Sequence, residues 1–436
     1  MLALFDTYDL ATRELLRSLE TAGIAVTPVF VRYDGDLPDG ALCPFVTYTG
    51  IERKGEPLFF DEVPVPPWCE IRQGREPFAQ ILRDGDLLGR IHYEPSSFRQ
   101  VERVDWLLPD GRPSHADHYD RSGNRYATTY LDDAGAAYQT VYRGPGEREI
   151  EVDHASRVVT MRSAHELLMF ESLSDFVSSF IDDQQLPDDR VLISSLSYPL
   201  FVMRKRAAAP CVTLFWQEPL RADLPGNMVT ELEQPRALER IVFLDERQRR
   251  RVAEQHPGTP VDLAYLSHLG QFEERPGYDP RRAFTLTNTD QLPALEGLLA
   301  AFPDVTFAVA ALTQMSELLH GLARRFPNLA LFPSATHAQI REELDKASVY
   351  LDINAGVHVL DVVQAAYHLD LVVLAVTPYV KAPDCATVLA TAEHLTAALA
   401  AVLASPEDRA RALDALHTQR GPLSGPDDYR RLLAPP

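Results

Sequence analysis

The chain has 436 residues, a length that predicts two or three domains. Its 45% hydrophobic and 24% charged residues are typical of a globular protein, and its net charge of -21 disfavours nucleic acid and anionic lipid, which are also negatively charged. The four cysteines show no C-x-x-C spacing and indicate neither a zinc site nor a disulfide framework. We therefore predict no metal and no cofactor.

The N-terminus does not resemble a secretory signal peptide, because it is apolar for only five residues before Asp6. No apolar run reaches the roughly 18 residues that a membrane-spanning helix needs. We expect a cytoplasmic protein with no transmembrane segment.

The first 44 residues predict the start of a parallel α/β sheet. Residues 2–5 are an apolar strand, Leu10 to Thr21 has helical periodicity, and Val26 to Tyr33 is strand-like. No G-x-G spacing follows the first strand, so the pattern excludes a dinucleotide-binding fingerprint.

Helical periodicity is absent from residues 45–164. Short β-branched and aromatic runs alternate there with glycine-containing turns, such as Asp84-Gly85 and Asp110-Gly111. This alternation predicts an antiparallel β-meander inserted into the α/β frame.

The α/β pattern resumes at residue 165. His165 to Ile181 is predicted to be a helix, and residues 191–194, 211–215 and 240–244 are predicted to be strands. Residues 1–44 and 165–272 thus form a first Rossmann-like domain that carries the meander.

A polar segment from Glu273 to Arg282 predicts a linker. Residues 283–415 alternate between strands and helices and predict a second Rossmann-like domain, and residues 416–436 predict a C-terminal tail. The predicted fold class is therefore α/β, with two Rossmann-like domains in a glycosyltransferase-B-like arrangement. A periplasmic-binding-type fold has the same pattern, but no export signal supports it.

An aromatic, an amide and a carboxylate follow the predicted strand at residues 211–215. Trp216, Gln217 and Glu218 occupy the carboxyl end of a strand, where ligands bind in open α/β sheets. An alternative interpretation is that Trp216 fills the core and Glu218 caps a helix.

The second domain lacks the donor-binding groups of retaining transferases of this two-domain type. Such enzymes place an Arg and a Lys against the departing diphosphate and a pair of glutamates near the fifth strand. The loop at residues 287–291 has no basic residue, and neither Ala355 with Val363 nor Gly356 with Gln364 supplies a carboxylate. We interpret this domain as transferase-shaped but catalytically degenerate.

The two lysines of the second domain are predicted to lie away from a donor site. Lys346 is at the end of a predicted helix, and Lys381 follows the last predicted strand. In the meander, His115 and His118 are three positions apart, which on a strand directs them to opposite faces and argues against a metal site.

Eight short motifs occur in order along the chain. They are LFDTYD at 4–9, VPVP at 63–66 with EI at 70–71, VDWL at 104–107, DHY at 117–119, FWQEP at 215–219 with PGNM at 225–228, LTNTDQ at 286–291, ALTQMS at 311–316 and YLDIN at 350–354. As a set they resemble the GtfB-type co-activator subunits of the bacterial O-GlcNAc transferase that glycosylates serine-rich repeat adhesins before accessory Sec export. The resemblance runs from about residue 2 to residue 376.

The resemblance implies a non-catalytic stabilising subunit, a pseudoenzyme with the glycosyltransferase fold and an inserted meander. It implies two partners, a homologous catalytic subunit that uses UDP-GlcNAc and the unfolded adhesin polypeptide, toward which the subunit acts as a chaperone. The resemblance also implies peripheral association with the cytoplasmic face of the membrane. One departure is His358, which replaces a glutamate of the family motif.

We therefore predict no catalytic residue in this chain and two binding surfaces. The predicted acceptor-binding cleft is lined by Trp216, Gln217, Glu218, Asn288 and Asp290. The predicted partner interface consists of Trp106, His118, Tyr119, Tyr126 and Tyr130. The alternative functions are an active retaining UDP-sugar-dependent glycosyltransferase and a dimerisation protein without acceptor contact. The alternative for the meander aromatics is that they only pack the meander's own core.

Overall fold

The structure is a computed structural model that describes residues 1–73, 78–94, 99–206, 211–221, 223–270, 272–273, 275 and 277–434. Two residues of the predicted linker, Glu274 and Pro276, and the last two residues of the predicted tail lie outside the described residues. The chain forms two compact units. The first contains Met1–Leu244 and Gln248–Tyr265, and the second contains Asp245–Arg247 and Leu266–Pro436.

The first unit begins as a parallel βαβ element. The elements are β1 (Leu2–Phe5), α1 (Leu10–Thr21), β2 (Thr27–Phe30) and α2 (Pro44–Thr49). Asp9 caps α1 by accepting the Thr12 N–H at 2.8 Å, which satisfies one of the free N–H groups at the helix start. All four residues of β1 are buried, as expected for a central parallel strand covered on both faces.

A ten-stranded antiparallel sheet follows, in which every strand pairs with the next one along the chain. Its strands are β3 (Glu70–Gln73), β4 (Phe78–Arg83), β5 (Asp86–Tyr93), β6 (Val101–Leu107), β7 (Pro113–Tyr119), β8 (Arg125–Leu131), β9 (Ala137–Tyr142), β10 (Glu149–Asp153), β11 (Val159–Arg162) and β12 (Leu167–Phe170).

The predicted helix from His165 to Ile181 is wrong in its first part. Residues 167–170 form β12, which pairs antiparallel with β11, and the following helix begins only at Leu173. Four consecutive apolar residues fit a strand as well as a helix, so periodicity alone cannot decide between them. The Ser172 side chain accepts the Asp175 N–H and marks the true start of the helix.

The first parallel sheet is completed after the meander. The elements are α3 (Leu173–Asp183), β13 (Arg190–Ile193), α4 (Tyr198–Lys205), β14 (Cys211–Trp216), α5 (Gly226–Glu233), β15 (Leu238–Phe243), α6 (Glu246–Gln255) and β16 (Asp262–Tyr265). The strand order is β16-β15-β14-β13-β1-β2, and all the pairs are parallel.

The meander packs through aromatic pairs on α2 and on the segment that follows β2. The Phe45 ring of α2 lies 4.2 Å from that of Tyr142, and the Tyr33 ring lies 4.7 Å from that of Tyr126. The turn after β9 also touches the end of α2, where the Gly146 N–H donates to the Thr49 carbonyl at 2.9 Å. These contacts join the two sheets in one unit.

The second unit contains another parallel sheet, ordered β19-β18-β17-β20-β21-β22, with a hydrophobic cluster on each face. The elements are β17 (Asp279–Thr287), α7 (Leu295–Ala301), β18 (Thr306–Ala311), α8 (Glu317–Arg325), β19 (Leu329–Phe332), α9 (His337–Lys346), β20 (Ala347–Asp352), α10 (Val362–His368), β21 (Val372–Val376), β22 (Thr387–Leu389), α11 (Ala392–Ala404), α12 (Pro406–His417) and α13 (Pro426–Leu433).

The C-terminal segment predicted as a tail is folded. Its helix α13 buries Tyr429 completely, and the phenol donates to the Ser267 carbonyl at 3.0 Å. The described part of residues 416–436 is therefore packed within the second unit and does not behave as a loose extension.

Candidate functional site

The carboxyl ends of β1, β13 and β14 carry three polar groups at one level of the first parallel sheet. Leu4 pairs with Ile193 and Ile193 with Leu214, so Asp6, Ser195 and Trp216 each follow two residues later. The Ser195 hydroxyl donates to the Asp6 carboxylate. Burial raises the pKa of Asp6 and outweighs the opposing effect of this hydrogen bond.

Trp216 lies in the hydrophobic core, and Gln217 is hydrogen-bonded to α1. Trp216 is 4% exposed within the core cluster, and its indole Nε1 has no hydrogen-bond partner among the described residues. Gln217 donates from Nε2 to the Ala11 carbonyl of α1 at 2.9 Å. Only Glu218 of the three is largely exposed, so an acceptor-binding role for this stretch stays a prediction that rests mainly on Glu218.

Asn288 and Asp290 lie in the loop after β17. The Asn354 amide donates to Asn288 Oδ1 at 3.3 Å, and the Ala355 N–H donates to the Gln291 carbonyl at 3.1 Å. Asp290 borders an open groove of about 610 Å³ between this loop, α7 and α8. The loop is therefore held against the segment that follows β20, with Asn288 at its exposed surface.

Lys381 has a role that the sequence pattern did not predict. Its side chain is 14% exposed and turns back to the end of β20, where Nζ donates to the Asn354 carbonyl at 2.6 Å and lies 3.9 Å from Asp352 Oδ1. Its backbone N–H donates to Asp352 Oδ2 at 2.7 Å. Burial raises the pKa of Asp352, although this N–H and the Lys381 charge oppose the shift.

The other charged groups of this region do not form a donor clamp. Lys346 pairs with Glu342 on the surface of α9 at 2.5 Å. His358 lies 3.8 Å from Asp361, and Asp361 is largely exposed. Both lysines of the second unit are thus engaged within the protein, and the segment after β20 provides no pair of glutamates.

Replacing Lys381 with methionine should lower the free energy of unfolding by about 2 kcal/mol, because it leaves the Asn354 carbonyl without its donor and Asp352 without a nearby cation. Urea denaturation monitored by fluorescence measures the change. Lys346→Met is the matched control, and its exposed ion pair should contribute less than about 0.5 kcal/mol. Equal losses in the two variants would contradict the structural role of Lys381.

The predicted partner-interface residues divide into buried and accessible groups. Tyr119 and Tyr126 are buried, and Tyr126 packs against Tyr33 of the first parallel sheet, so these two rings offer no surface to a partner. Trp106, His118 and Tyr130 are partly exposed. For these three the interface assignment stays a prediction.

Trp106 and Tyr130 belong to a row of rings that crosses four strands. The Trp106 ring lies 6.2 Å from that of His115, His115 lies 6.0 Å from Tyr130, and Tyr130 lies 6.3 Å from Tyr138. The Trp106 indole N–H donates to Asp117 at 2.9 Å, which fixes the start of the row. Burial lowers the pKa of His115 and keeps its imidazole neutral at pH 7.

The described residues contain no group of three or more His, Cys, Asp and Glu side chains arranged to hold a metal ion. Among the helices that the structure describes, none is both long enough and apolar enough to cross a membrane.

Sequence reasoning missed the exposed apolar strand β12. Leu167 and Met169 are 57% and 68% exposed there, although both are large hydrophobic residues. The helix prediction placed Leu167, Leu168 and Phe170 on the apolar side of an amphipathic helix. The signals that would have corrected it are the Ser172-x-x-Asp175 cap and the short turn at residues 163–166.

Three family descriptions match successive parts of the chain. Residues 69–171 match the GtfB middle domain, residues 173–254 the GtfB third domain, and residues 283–416 the GftB/GlyA-F C-terminal domain. A relative from Streptococcus gordonii is 32% identical over 381 residues, which cover 86% of this chain and 84% of the relative. The chain belongs to the GtfB family.

The names of its GtfB relatives describe a stabilising protein and not the transferase itself. The proteins from S. gordonii and from Streptococcus pneumoniae, the latter 31% identical over 86% of this chain and 84% of its own length, are both called UDP-N-acetylglucosamine–peptide N-acetylglucosaminyltransferase stabilizing protein GtfB. The predicted family membership is confirmed.

Solved structures agree with the fold. A chain in the crystal structure of the GtfA/B complex bound to UDP and GlcNAc superposes with a TM-score of 0.91 at 29% identity, over 99% of both chains. The pneumococcal O-GlcNAc transferase GtfA superposes with a TM-score of 0.55 at 12% identity, over 99% of this chain and 98% of the GtfA chain. TarM superposes with a TM-score of 0.52 at 9% identity, over 100% of this chain and 98% of the TarM chain. At these identities the two structures show the fold alone. The predicted glycosyltransferase-B-like fold class is confirmed.

Proposed function

We propose that this GtfB-family protein is the non-catalytic co-activator subunit that stabilises a homologous catalytic O-GlcNAc transferase. The observation that carries the proposal is the engagement of Lys381. The Lys381 ammonium is held by the Asn354 carbonyl and lies 3.9 Å from Asp352, and Lys346 is paired with Glu342, so both lysines of the second unit are engaged within the protein. Without a cation against the departing diphosphate, transfer from a nucleotide-sugar loses several kcal/mol of transition-state stabilisation, an order-of-magnitude figure.

The proposed acceptor is the Ser/Thr-rich adhesin polypeptide, held unfolded before accessory Sec export. Glu218 in the first unit and Asn288 with Asp290 in the second carry carboxylate and amide groups that bind hydroxyl and peptide groups. A carboxylate repels a diphosphate, so Glu218 and Asp290 each suit an uncharged polar peptide better than a nucleotide. We propose a cytoplasmic location with peripheral association at the membrane.

The proposed surface for the catalytic partner is the meander. The row of Trp106, His115, Tyr130 and Tyr138 spans four strands, and aromatic side chains contribute strongly to protein interfaces. The buried Tyr119 belongs to the same hydrophobic cluster as Trp106.

Release of UDP from UDP-GlcNAc in the presence of a Ser/Thr-repeat peptide tests the proposal. The assay compares this protein alone, the catalytic homologue alone and the equimolar mixture. We expect no turnover by this protein alone and more turnover in the mixture than with the homologue alone. Turnover by this protein alone would identify it as an active retaining glycosyltransferase and direct attention to His358 and Asp361.

A further inference from the structure

A row of hydrogen-bonded side chains crosses one face of the meander sheet. Nε2 of His118 on β7 lies 2.9 Å from the Thr129 hydroxyl oxygen on β8. That oxygen lies 2.9 Å from the Thr140 hydroxyl oxygen on β9, which in turn lies 2.8 Å from Nε2 of His154. Three contacts of ordinary hydrogen-bond length therefore join two histidines through two threonines. We call these four side chains the histidine–threonine relay.

The strand register places the relay on a single face of the sheet. Thr129 and Thr140 are direct cross-strand partners. On the flanking strands, His118 and His154 each lie two positions beyond the residue that pairs with the neighbouring threonine. Residues that are directly opposite or two positions apart share a face of a sheet. His115, which is three positions from His118, lies on the other face and is not part of the relay.

The relay needs three hydrogens, one for each contact. The Thr129 and Thr140 hydroxyls supply two, and among the described residues neither hydroxyl has a hydrogen-bond partner outside the relay. One of the two Nε2 atoms must therefore donate the third hydrogen while the other accepts. If both imidazoles were charged, four hydrogens would compete for three contacts, and one donor would lose its acceptor.

The two ends of the relay differ in exposure. His154 is exposed and lies near the Asp153 carboxylate, so water and a negative charge both stabilise its charged form. His118 is half-buried, with its ring 6.0 Å from that of Tyr126, and burial, followed by the charge of Arg103, lowers its pKa. The charged side chains that act on His118 from its own strand and from β6 are Arg103, Asp105 and Asp117. A single positive charge on the relay is therefore more stable on His154.

We propose that the relay is a pH-responsive device in which a charge on one histidine opposes a charge on the other. Protonation of His154 makes its Nε2 a donor, so both hydroxyls point toward His118, and His118 must accept through Nε2 and hold its own hydrogen on Nδ1. The device acts over about pH 5–8, where histidines change charge. It transmits a proton change at the exposed surface to a half-buried imidazole beside Tyr126, and it does not depend on the proposed function.

Nuclear magnetic resonance titration of histidine-labelled protein tests the relay. His154→Ala should raise the pKa of His118, with about a fivefold gain in proton affinity, the factor that corresponds to one hydrogen bond of about 1 kcal/mol. In the unmodified protein, the ring ¹⁵N shifts of neutral His118 should show its hydrogen on Nδ1 whenever His154 is charged. His115 is the internal reference and should titrate identically in every variant. His165→Ala removes another exposed histidine and should leave the pKa of His118 unchanged.

A double-mutant cycle separates the relay from direct repulsion between two charged imidazoles. Thr140→Val keeps a similar side-chain shape but removes the hydroxyl that links Thr129 to His154. The effect of His154→Ala on the pKa of His118 should therefore disappear in the Thr140→Val background. Direct repulsion would persist in that background and would weaken in about 1 M NaCl, where the Debye length is about 3 Å.

Two results would overturn the relay. One is an unchanged pKa of His118 in His154→Ala, and the other is an equal rise with and without the Thr140 hydroxyl. Circular dichroism and the thermal midpoint show whether each variant keeps its fold. If Thr140→Val does not fold, the salt dependence decides, because a rise that vanishes in about 1 M NaCl belongs to charge repulsion and a rise that persists supports the relay.

Discussion

Replacing Glu231 with alanine should lower the free energy of unfolding of the first unit by about 3–5 kcal/mol. Glu231 on α5 is fully buried, and its Oε2 accepts the backbone N–H groups of Arg236, Ala237 and Leu238 at 3.0–3.1 Å. Its Oε1 accepts from the Arg204 guanidinium at 2.7 Å. Alanine leaves these donors without their acceptor, including the buried Leu238 N–H, and removes the carboxylate that pairs with Arg204.

Urea denaturation at pH 7 measures this loss, and Glu233→Ala is the matched control. Glu233 lies on the same helix but is exposed, so its replacement should change the free energy of unfolding by less than about 0.5 kcal/mol. A comparable loss in both variants would contradict the specific role of the buried carboxylate, because alanine is itself a good helix former.

The same carboxylate predicts a pH dependence. Burial alone raises the pKa of Glu231, but the N–H groups of Leu238 and its neighbours, together with Arg204, outweigh burial and lower it below the usual value. A lowered pKa means that the stabilisation is present above the pKa of the unfolded chain, about 4.3, and is lost as the pH falls through the folded pKa. The stability difference between the wild type and Glu231→Gln should therefore shrink below about pH 4.

Replacing Gly144 with alanine should lower the free energy of unfolding of the first unit by about 2–4 kcal/mol. A Cβ atom at Gly144 would lie 2.5 Å from the Thr49 carbonyl oxygen and 2.8 Å from the Ile51 nitrogen. Both are backbone atoms, so the turn after β9 must move away from the end of α2. The movement would also disturb the contact between Phe45 and Tyr142.

Gly226→Ala serves as the control for this variant, because a Cβ atom there meets nothing within 4 Å. It should leave the free energy of unfolding within about 0.5 kcal/mol of the wild type. Near-ultraviolet circular dichroism, which reports on the packing of aromatic side chains, should change for Gly144→Ala only. An unchanged thermal midpoint for Gly144→Ala would show that the turn has more room than these distances indicate.

Local patterns in the sequence were sufficient for most of the fold. The helix at Leu10–Thr21 has the predicted bounds, because it combines clear helical periodicity with a glycine turn after its end. The strand at Leu167–Phe170 was missed because its conformation depends on pairing with Val159–Arg162 and not on its own composition. Periodicity carries no information about a partner strand.

The candidate site was likewise only partly predictable from the sequence. The missing glutamate pair could be read from residue identities alone. The position of Lys381 could not, because its side chain meets Asn354 and Asp352 only when the chain folds back over more than 25 residues. Burial of Tyr126 likewise depends on Tyr33, which is far away in the sequence.

The order of strand pairing has a consequence for folding during synthesis on the ribosome. Each meander strand pairs with its immediate successor, so that sheet can assemble progressively as the nascent chain emerges. In the parallel sheet, by contrast, β1 lies between β2 and β13, and Leu2 pairs with Val191. Strand β1 is therefore completed on both sides only after the whole meander has been translated, and until then its apolar residues depend on β2, α1 or a chaperone for cover.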